Sequence, residues 1–132
     1  MKFFFNSSET KEALLVKEKF VRSYNQFKAE DADVIIPIGG DGFLLKNLHD
    51  FNELKKPFFG INYGSIGFLM NSNKIGNLEK IIKNSQETIL QPLKMETTDK
   101  NKNFFTSIAY NEVSIMRQTH QAAKINIEIN KV

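Results

Sequence analysis

The residues best suited to chemistry in this chain are three glycines around one carboxylate, Gly39, Gly40, Asp41 and Gly42. They follow the apolar run of residues 34–38, and a short β-branched run of this kind is typical of a buried strand in a parallel sheet. Glycine lets the backbone adopt positive φ and lets a ligand approach the main chain without a Cβ in the way. The next residues have helix-forming character, so the N–H groups of a helix N-terminus would face this loop. The pattern therefore predicts an anion-binding site.

A tight turn is the alternative interpretation of the same four residues, with Asp41 capping the following helix. One glycine-rich turn after a strand is weak evidence for a ligand. A second polar, glycine-rich segment, residues 62–69, adds weight because it also follows a predicted strand, residues 58–61. In this segment Phe68 and Leu69 could instead belong to the core.

The elements around these loops are predicted from hydrophobic periodicity. Residues 2–5 form a short strand candidate, and Asn6 with Glu9 three positions later resembles a helix-starting capping box. A 3.6-residue period then predicts an amphipathic helix whose aromatic stripe faces the core. Its apolar positions are Ala13, Val16, Phe20, Tyr24 and Phe27.

Strands and helices alternate after this first helix. They are the strand of residues 34–38, a helix that carries His49 on its surface or near its end, the strand of residues 58–61 and a helix over residues 74–83. This alternation predicts βαβ units and a parallel sheet. Ligands bind such sheets outside the carboxyl ends of the strands, where both glycine-rich loops fall.

The pattern changes near residue 87, from helical periodicity to strands. Residues 88–95 and 104–116 are predicted as strands joined by a Lys-Asn turn, and residues 125–129 alternate as a half-buried strand does. The sequence thus predicts an α/β domain with a Rossmann-like parallel sheet over residues 1–86, followed by the start of a β-rich, β-sandwich-like domain over residues 87–132. Because too few strands follow to close that second domain, we expect it to be incomplete and the chain to be an N-terminal fragment.

Composition limits the classes of function. The 132 residues are 41% apolar and 25% charged, as in soluble globular proteins. The absence of cysteine excludes disulfides and thiolate metal sites and is compatible with the cytoplasm. The net charge of +3 is spread along the chain without a basic, aromatic-rich block, and there is no apolar run of roughly 18 residues. We expect neither nucleic acid nor a membrane as a partner.

Three motifs, in this order, resemble those of the bacterial-type NAD kinases. They are residues 39–42, residues 60–69, and Asn111 with Glu112 inside residues 109–115. The first motif alone is shared with lipid kinases and phosphofructokinases, whereas the three together are specific. The resemblance covers nearly all of the chain but about half of what the family normally has.

The resemblance implies an activity and its ligands. NAD kinases transfer the γ-phosphoryl group of ATP, or in some members of polyphosphate, to the 2′-hydroxyl of the adenosine ribose of NAD, which gives NADP. The family uses Mg²⁺ or another divalent cation with ATP, is cytoplasmic, and commonly forms homo-oligomers. Phosphoryl transfer mainly requires that the reacting groups are positioned and the phosphate charge is neutralised, with one carboxylate near the attacking hydroxyl.

The resemblance also implies roles for single residues. Asp41 corresponds to the general base that takes the proton from the attacking hydroxyl, and Phe68 would pack beside the adenine. The remaining residues implied at the nucleotide and phosphate sites are Gly39, Gly40, Gly42, Leu45, Lys46, Asn62, Asn111 and Glu112.

Two departures from the family pattern stand out. Phe43 occupies a position where most members have threonine, and the family's later nucleotide-binding segment is missing. Phe43 puts in doubt a hydroxyl contact to phosphate at that position but not the role of Asp41. Because the later segment is missing, we expect little or no kinase activity from the 132 residues alone.

Two other functions remain open: a lipid or sugar kinase that shares only the first motif, and a nucleotide-binding module without chemistry. In a substrate screen, phosphorylation of diacylglycerol but not of NAD would favour the lipid kinase. Calorimetry with NAD and ATP beside an activity assay would favour the binding module if it showed tight binding without turnover.

Overall fold

A computed structural model describes residues 1–65 and 67–130 as a mixed α/β structure. Its parallel sheet has the order β1 (Phe3–Ser7), β2 (Val34–Gly39), β3 (Ile61–Asn62). The helices are α1 (Lys11–Tyr24), α2 (Asp41–Asp50) and α3 (Leu78–Lys83), with a short 3₁₀ turn at Asn52–Leu54. A separate antiparallel hairpin joins β4 (Leu93–Thr98) to β5 (Phe104–Ala109). The predicted fold class is confirmed.

The two faces of β1 contact different helices, because successive side chains of a strand point to opposite sides. On one face Phe5 stacks on Phe20 of α1 with ring centroids 5.5 Å apart, and Phe3 meets Tyr24 edge-on at 5.6 Å. The aromatic stripe of α1 is therefore core, as predicted. On the other face Phe4 meets Phe51, just past α2, at 5.4 Å.

The predicted start of α1 is wrong. Asn6 lies within β1, because parallel pairing with β2 continues as far as Ser7. The N-cap is Thr10, whose hydroxyl accepts a hydrogen bond from the Ala13 N–H at 3.4 Å. Asn25, at a φ of 62°, follows the helix, so Phe27 lies outside it.

The third strand and third helix are shorter than predicted. Before β3, Phe58 forms only an isolated bridge with Ile35. The N-cap of α3 is Asn77, whose side chain accepts from the Lys80 N–H at 2.9 Å, so the helix begins at Leu78 rather than near residue 74. His49 is exposed in the last turn of α2, as expected.

The hairpin confirms two strands joined by the Lys-Asn turn, but β4 begins at Leu93 rather than near residue 88 and continues to Thr98. The Asp99 carboxylate organises the turn by accepting hydrogen bonds from the side chain and N–H of Asn103 and from the N–H of Asn101, at 2.8 to 2.9 Å. These bonds, chiefly the one from the Asn103 side chain, hold the pKa of Asp99 below its usual 3.8.

Two predicted strand segments are wrong. β5 ends at Ala109 rather than at Met116, and residues 125–129 form no strand. In the described ranges no neighbouring strand takes up the hydrogen bonds of either segment, and alternation alone does not hold a strand. The last two residues of the predicted β-rich domain, 131 and 132, lie outside the described residues. No helix in the described part of the chain is long and apolar enough to cross a membrane.

Candidate functional site

The first two motifs leave the sheet at the same edge. Gly39 at the end of β2 pairs with Asn62 at the end of β3. The Tyr63 N–H donates to the Gly39 carbonyl at 2.7 Å and holds the start of the second motif against the first. Both glycine-rich segments therefore begin at the carboxyl ends of adjacent parallel strands, as the sequence predicted.

Asp41 is the first residue of α2 and connects the two motifs. Its Oδ2 accepts the Phe68 N–H at 2.7 Å, and its Oδ1 accepts the Leu69 N–H at 3.2 Å. The N-cap of α2 is Gly40, and no side chain caps the helix there, so the alternative of Asp41 as a helix cap is wrong. At the first position of a helix the dipole stabilises a negative charge. The arrangement is a half-buried carboxylate held by backbone donors from the second motif.

The glycines of the second motif serve close packing rather than unusual backbone angles. All seven glycines of the chain lie in the described ranges and none has positive φ, so that expectation is wrong. A Cβ on Gly64 would lie 2.8 Å from the Cα of Gly40, and a Cβ on Gly67 would lie 2.9 Å from Nδ2 of Asn62. Among the described residues a Cβ on Gly42 would meet nothing within 4 Å, and the exposed Gly42 leaves its main chain accessible to a ligand.

Asn62 shapes the second motif and faces an open cleft of about 300 Å³. Its Oδ1 accepts the Gly64 N–H at 2.9 Å. The other residues that line the cleft are Glu12, Tyr63, Gly64, Ser72 and Asn73. Sequence reasoning missed the contributions of Glu12, Ser72 and Asn73. The strand–helix order could have predicted the position of Glu12, since α1 also begins after the carboxyl end of a parallel strand.

The two phenylalanines of the motifs differ in exposure. The Phe68 side chain is 91% exposed although its N–H is held by Asp41. Phe43, at the position that departs from the family, lies against Gly39: a Cβ there would be 3.1 Å from the Phe43 ring. Phe43 therefore contributes packing at the end of β2.

Two further residues were predicted to border the pocket. Leu45 is half-buried on α2. Lys46 is exposed and forms an ion pair with Asp50, one turn further along the same helix. A contact of either residue with a nucleotide stays a prediction.

The third motif is anchored elsewhere. The Tyr110 hydroxyl donates to Oδ1 of Asn52 at 2.7 Å, in the turn that follows α2. The ten residues of α2 correspond to about 15 Å, so this anchor is at the opposite end of the helix from Asp41. Within residues 1–65 and 67–130, no hydrogen bond or ion pair joins Asn111 or Glu112 to the other motifs.

The structure thus brings two of the three motifs together, and the roles of Asn111 and Glu112 stay predictions. Ile66 of the second motif lies outside the described residues. In the part of the chain that the structure describes, no group of three or more His, Asp or Glu side chains could hold a metal ion.

Comparison with known proteins identifies the family. The family model of the ATP-NAD kinase N-terminal domain matches residues 2–89, which include the first two motifs. An NAD kinase of Rickettsia canadensis (strain McKiel) is 47% identical over 120 residues, which are 91% of this chain and 47% of that protein. An NAD kinase of Rickettsia rickettsii (strain Sheila Smith) is 48% identical over 119 residues, 90% of this chain and 47% of that protein.

A crystal structure of an NAD kinase from Archaeoglobus fulgidus in complex with ATP is also similar. It is 22% identical, with a TM-score of 0.47, over 73% of this chain and 41% of that chain. The chain spans about half the length of the curated relatives it matches. The match of the family model to two thirds of the sequence, together with the two motifs inside it, means that the chain belongs to the NAD kinase family.

Proposed function

We propose that this chain is part of an NAD kinase, which transfers the γ-phosphoryl group of ATP to the 2′-hydroxyl of the adenosine ribose of NAD and so forms NADP. Membership of the family supports this activity. The observation that carries the proposal is the meeting of the first two motifs at one sheet edge, with the Asp41 carboxylate between them.

Asp41 is proposed to accept the proton of the attacking hydroxyl. Each carboxylate oxygen accepts one backbone N–H, and each can accept a further hydrogen bond. The open main chain at Gly42, in the first turn of α2, supports a phosphate path past Gly39 and Gly40, because helix N-termini offer unpaired N–H groups to anions.

Other roles in the pocket have narrower support. The exposed Phe68 ring is available to pack beside an adenine, and Asn62 presents an amide to the cleft. For Asn111 and Glu112 as hydrogen-bonding partners of the dinucleotide, the support is the resemblance alone.

A divalent cation is proposed to arrive with the phosphates of ATP. Asp41 is the carboxylate of the first two motifs, and the proposal assigns it to the attacking hydroxyl rather than to a resident metal. The cation would neutralise phosphate charge during transfer. Polyphosphate as a donor, a cytoplasmic location and a homo-oligomeric assembly are further proposals drawn from the family, and the absence of cysteine is compatible with that location.

The test is an NADP-formation assay on two proteins. One is the 132-residue chain, for which we expect little or no turnover. The other is a hybrid that joins the chain to the part of the Rickettsia canadensis NAD kinase that it does not span. With Mg²⁺ and ATP the hybrid should form NADP. Phosphorylation of diacylglycerol but not of NAD would overturn the proposal, and tight NAD binding without turnover in the hybrid would favour a module that performs no chemistry.

Asp41→Asn tests the role of the base in the hybrid. We expect this change to remove most of kcat, since general-base catalysis contributes about 10²–10⁴-fold. The matched control is Asp33→Asn, because Asp33 also accepts a backbone N–H, that of Lys2 at 2.7 Å, in the loop before β2. Undiminished turnover in Asp41→Asn would contradict the assignment.

A further inference from the structure

The second motif is a loop whose base is fixed to the sheet. The Asn71 N–H donates to the Gly60 carbonyl at 2.8 Å, and the Asn62 N–H donates to the Asn71 carbonyl at 2.9 Å. These two bonds close the loop where it leaves and rejoins the sheet. They leave residues 67–69, which include the adenine-packing candidate Phe68, to be positioned by something else.

Asp41 supplies that positioning contact. Its two oxygens accept N–H groups from consecutive residues, Phe68 and Leu69, which are 27 and 28 positions away in sequence. Hydrogen bonds to an ionised acceptor are stronger than neutral ones. The Phe68 ring is largely exposed, so burial of its side chain does not hold this segment in place.

Gly67 is the residue that permits this contact. A Cβ at position 67 would lie 2.9 Å from Nδ2 of Asn62 and 3.2 Å from Oδ1 of Asp41. Both distances are tighter than ordinary van der Waals contact. Because the φ of Gly67 is not positive, an alanine there would act through this crowding and not through backbone strain.

We propose that the Asp41 carboxylate clamps residues 67–69, and that Gly67 is a positioning residue which allows the clamp to close. The clamp itself does not depend on the proposed function, but its consequence for catalysis does. In an NAD kinase, one carboxylate would both take the proton and hold the backbone that presents Phe68 to the adenine. Substitutions at Asp41 would then alter NAD binding as well as the chemical step.

Amide hydrogen exchange on the 132-residue chain tests the clamp without any kinase activity. In Asp41→Ala, exchange at the Phe68 and Leu69 N–H groups should rise about tenfold or more, which is the effect of losing a charged acceptor. Asp33→Ala is the matched control and should affect Lys2 but neither of these amides. Unchanged exchange at Phe68 and Leu69 in Asp41→Ala would overturn the proposal.

Gly67→Ala tests the second part with Asp41 left intact. Its matched control is Gly76→Ala, since a Cβ there would meet no described atom within 4 Å. We expect faster exchange at Phe68 and Leu69 in Gly67→Ala alone, with the Ile36 amide of β2 unchanged as a check that the sheet is folded. Equal exchange in the two alanine variants would rule out the positioning role of Gly67. If Gly67→Ala does not fold, Asp41→Ala decides whether the clamp exists.

The hybrid protein adds a kinetic readout. Gly67→Ala should raise the KM for NAD several-fold with a smaller change in kcat, whereas Asp41→Asn should lower kcat and raise KM together. A change in kcat alone in both variants would contradict the positioning role. An inactive hybrid refutes the proposed function, while the exchange results still decide on the clamp.

Discussion

Asn47 offers the sharpest test of how α2, and with it Asp41, is held on the sheet. Its side chain is 1% exposed, and in the described part of the chain it is the one buried polar residue. Its Oδ1 accepts from Nδ2 of Asn6 in β1 at 2.7 Å, and its own Nδ2 donates to the Phe43 carbonyl at 2.7 Å. The amide therefore links the first strand to the second helix.

Asn47→Ala should lower the free energy of unfolding by about 2–4 kcal/mol. Each lost hydrogen bond contributes roughly 0.5–1.5 kcal/mol net, and an unpaired buried donor costs roughly 1–3 kcal/mol. The donor left behind is Nδ2 of Asn6, which is half-buried and partly accessible to water. Because water can reach this donor, we expect a loss below the upper end of the sum of the two lost hydrogen bonds and the unpaired donor.

Urea unfolding followed by circular dichroism measures the change. Asn101→Ala is the control, because the Asn101 side chain is exposed in the hairpin turn, and we expect a change within about 0.5 kcal/mol. The double variant Asn6→Ala/Asn47→Ala should lose less than the sum of the single variants, with a coupling of roughly 0.5–3 kcal/mol, since both single changes break the same bond. Additive single changes, or an Asn47→Ala protein as stable as the parent, would refute the reasoning.

Two further predictions concern the hairpin. Because hydrogen bonds lower the folded-state pKa of Asp99 below its unfolded value, its stabilisation of the turn is present above the unfolded pKa and is lost as the pH falls through the folded pKa. NMR of the turn amides should follow this loss in acid, and a turn insensitive to acid would contradict it. Tyr110→Phe should release the hairpin end from Asn52 at a cost of about 0.5–1.5 kcal/mol and shift the Asn52 side-chain resonances. Tyr24→Phe, which removes the acceptor of the Leu78 N–H, is the comparison that should leave those resonances in place.

Much of the fold was predictable because it depends on local patterns. The short β-branched run before Gly39 and the 3.6-residue period around Phe20 set the strand and helix of a parallel unit, and both are confirmed. The errors fall where pairing between distant segments overrides local signals. Asn6 has a helix-start pattern but lies in β1 because it pairs with β2. Residues 125–129 alternate as predicted, but no strand in the described part of the chain pairs with them.

For the site, the sequence alone determined which residues are suited to chemistry and that two of the motifs each follow a predicted strand, because residue type and order are local properties. Only the tertiary structure decided that Asp41 accepts a hydrogen bond from the Phe68 backbone, that Gly64 and Gly67 permit close packing, and that Tyr110 joins the hairpin to the turn after α2. Each of these depends on which distant segments meet in space. Contacts between residues 27 or 58 positions apart leave no periodic trace in the sequence.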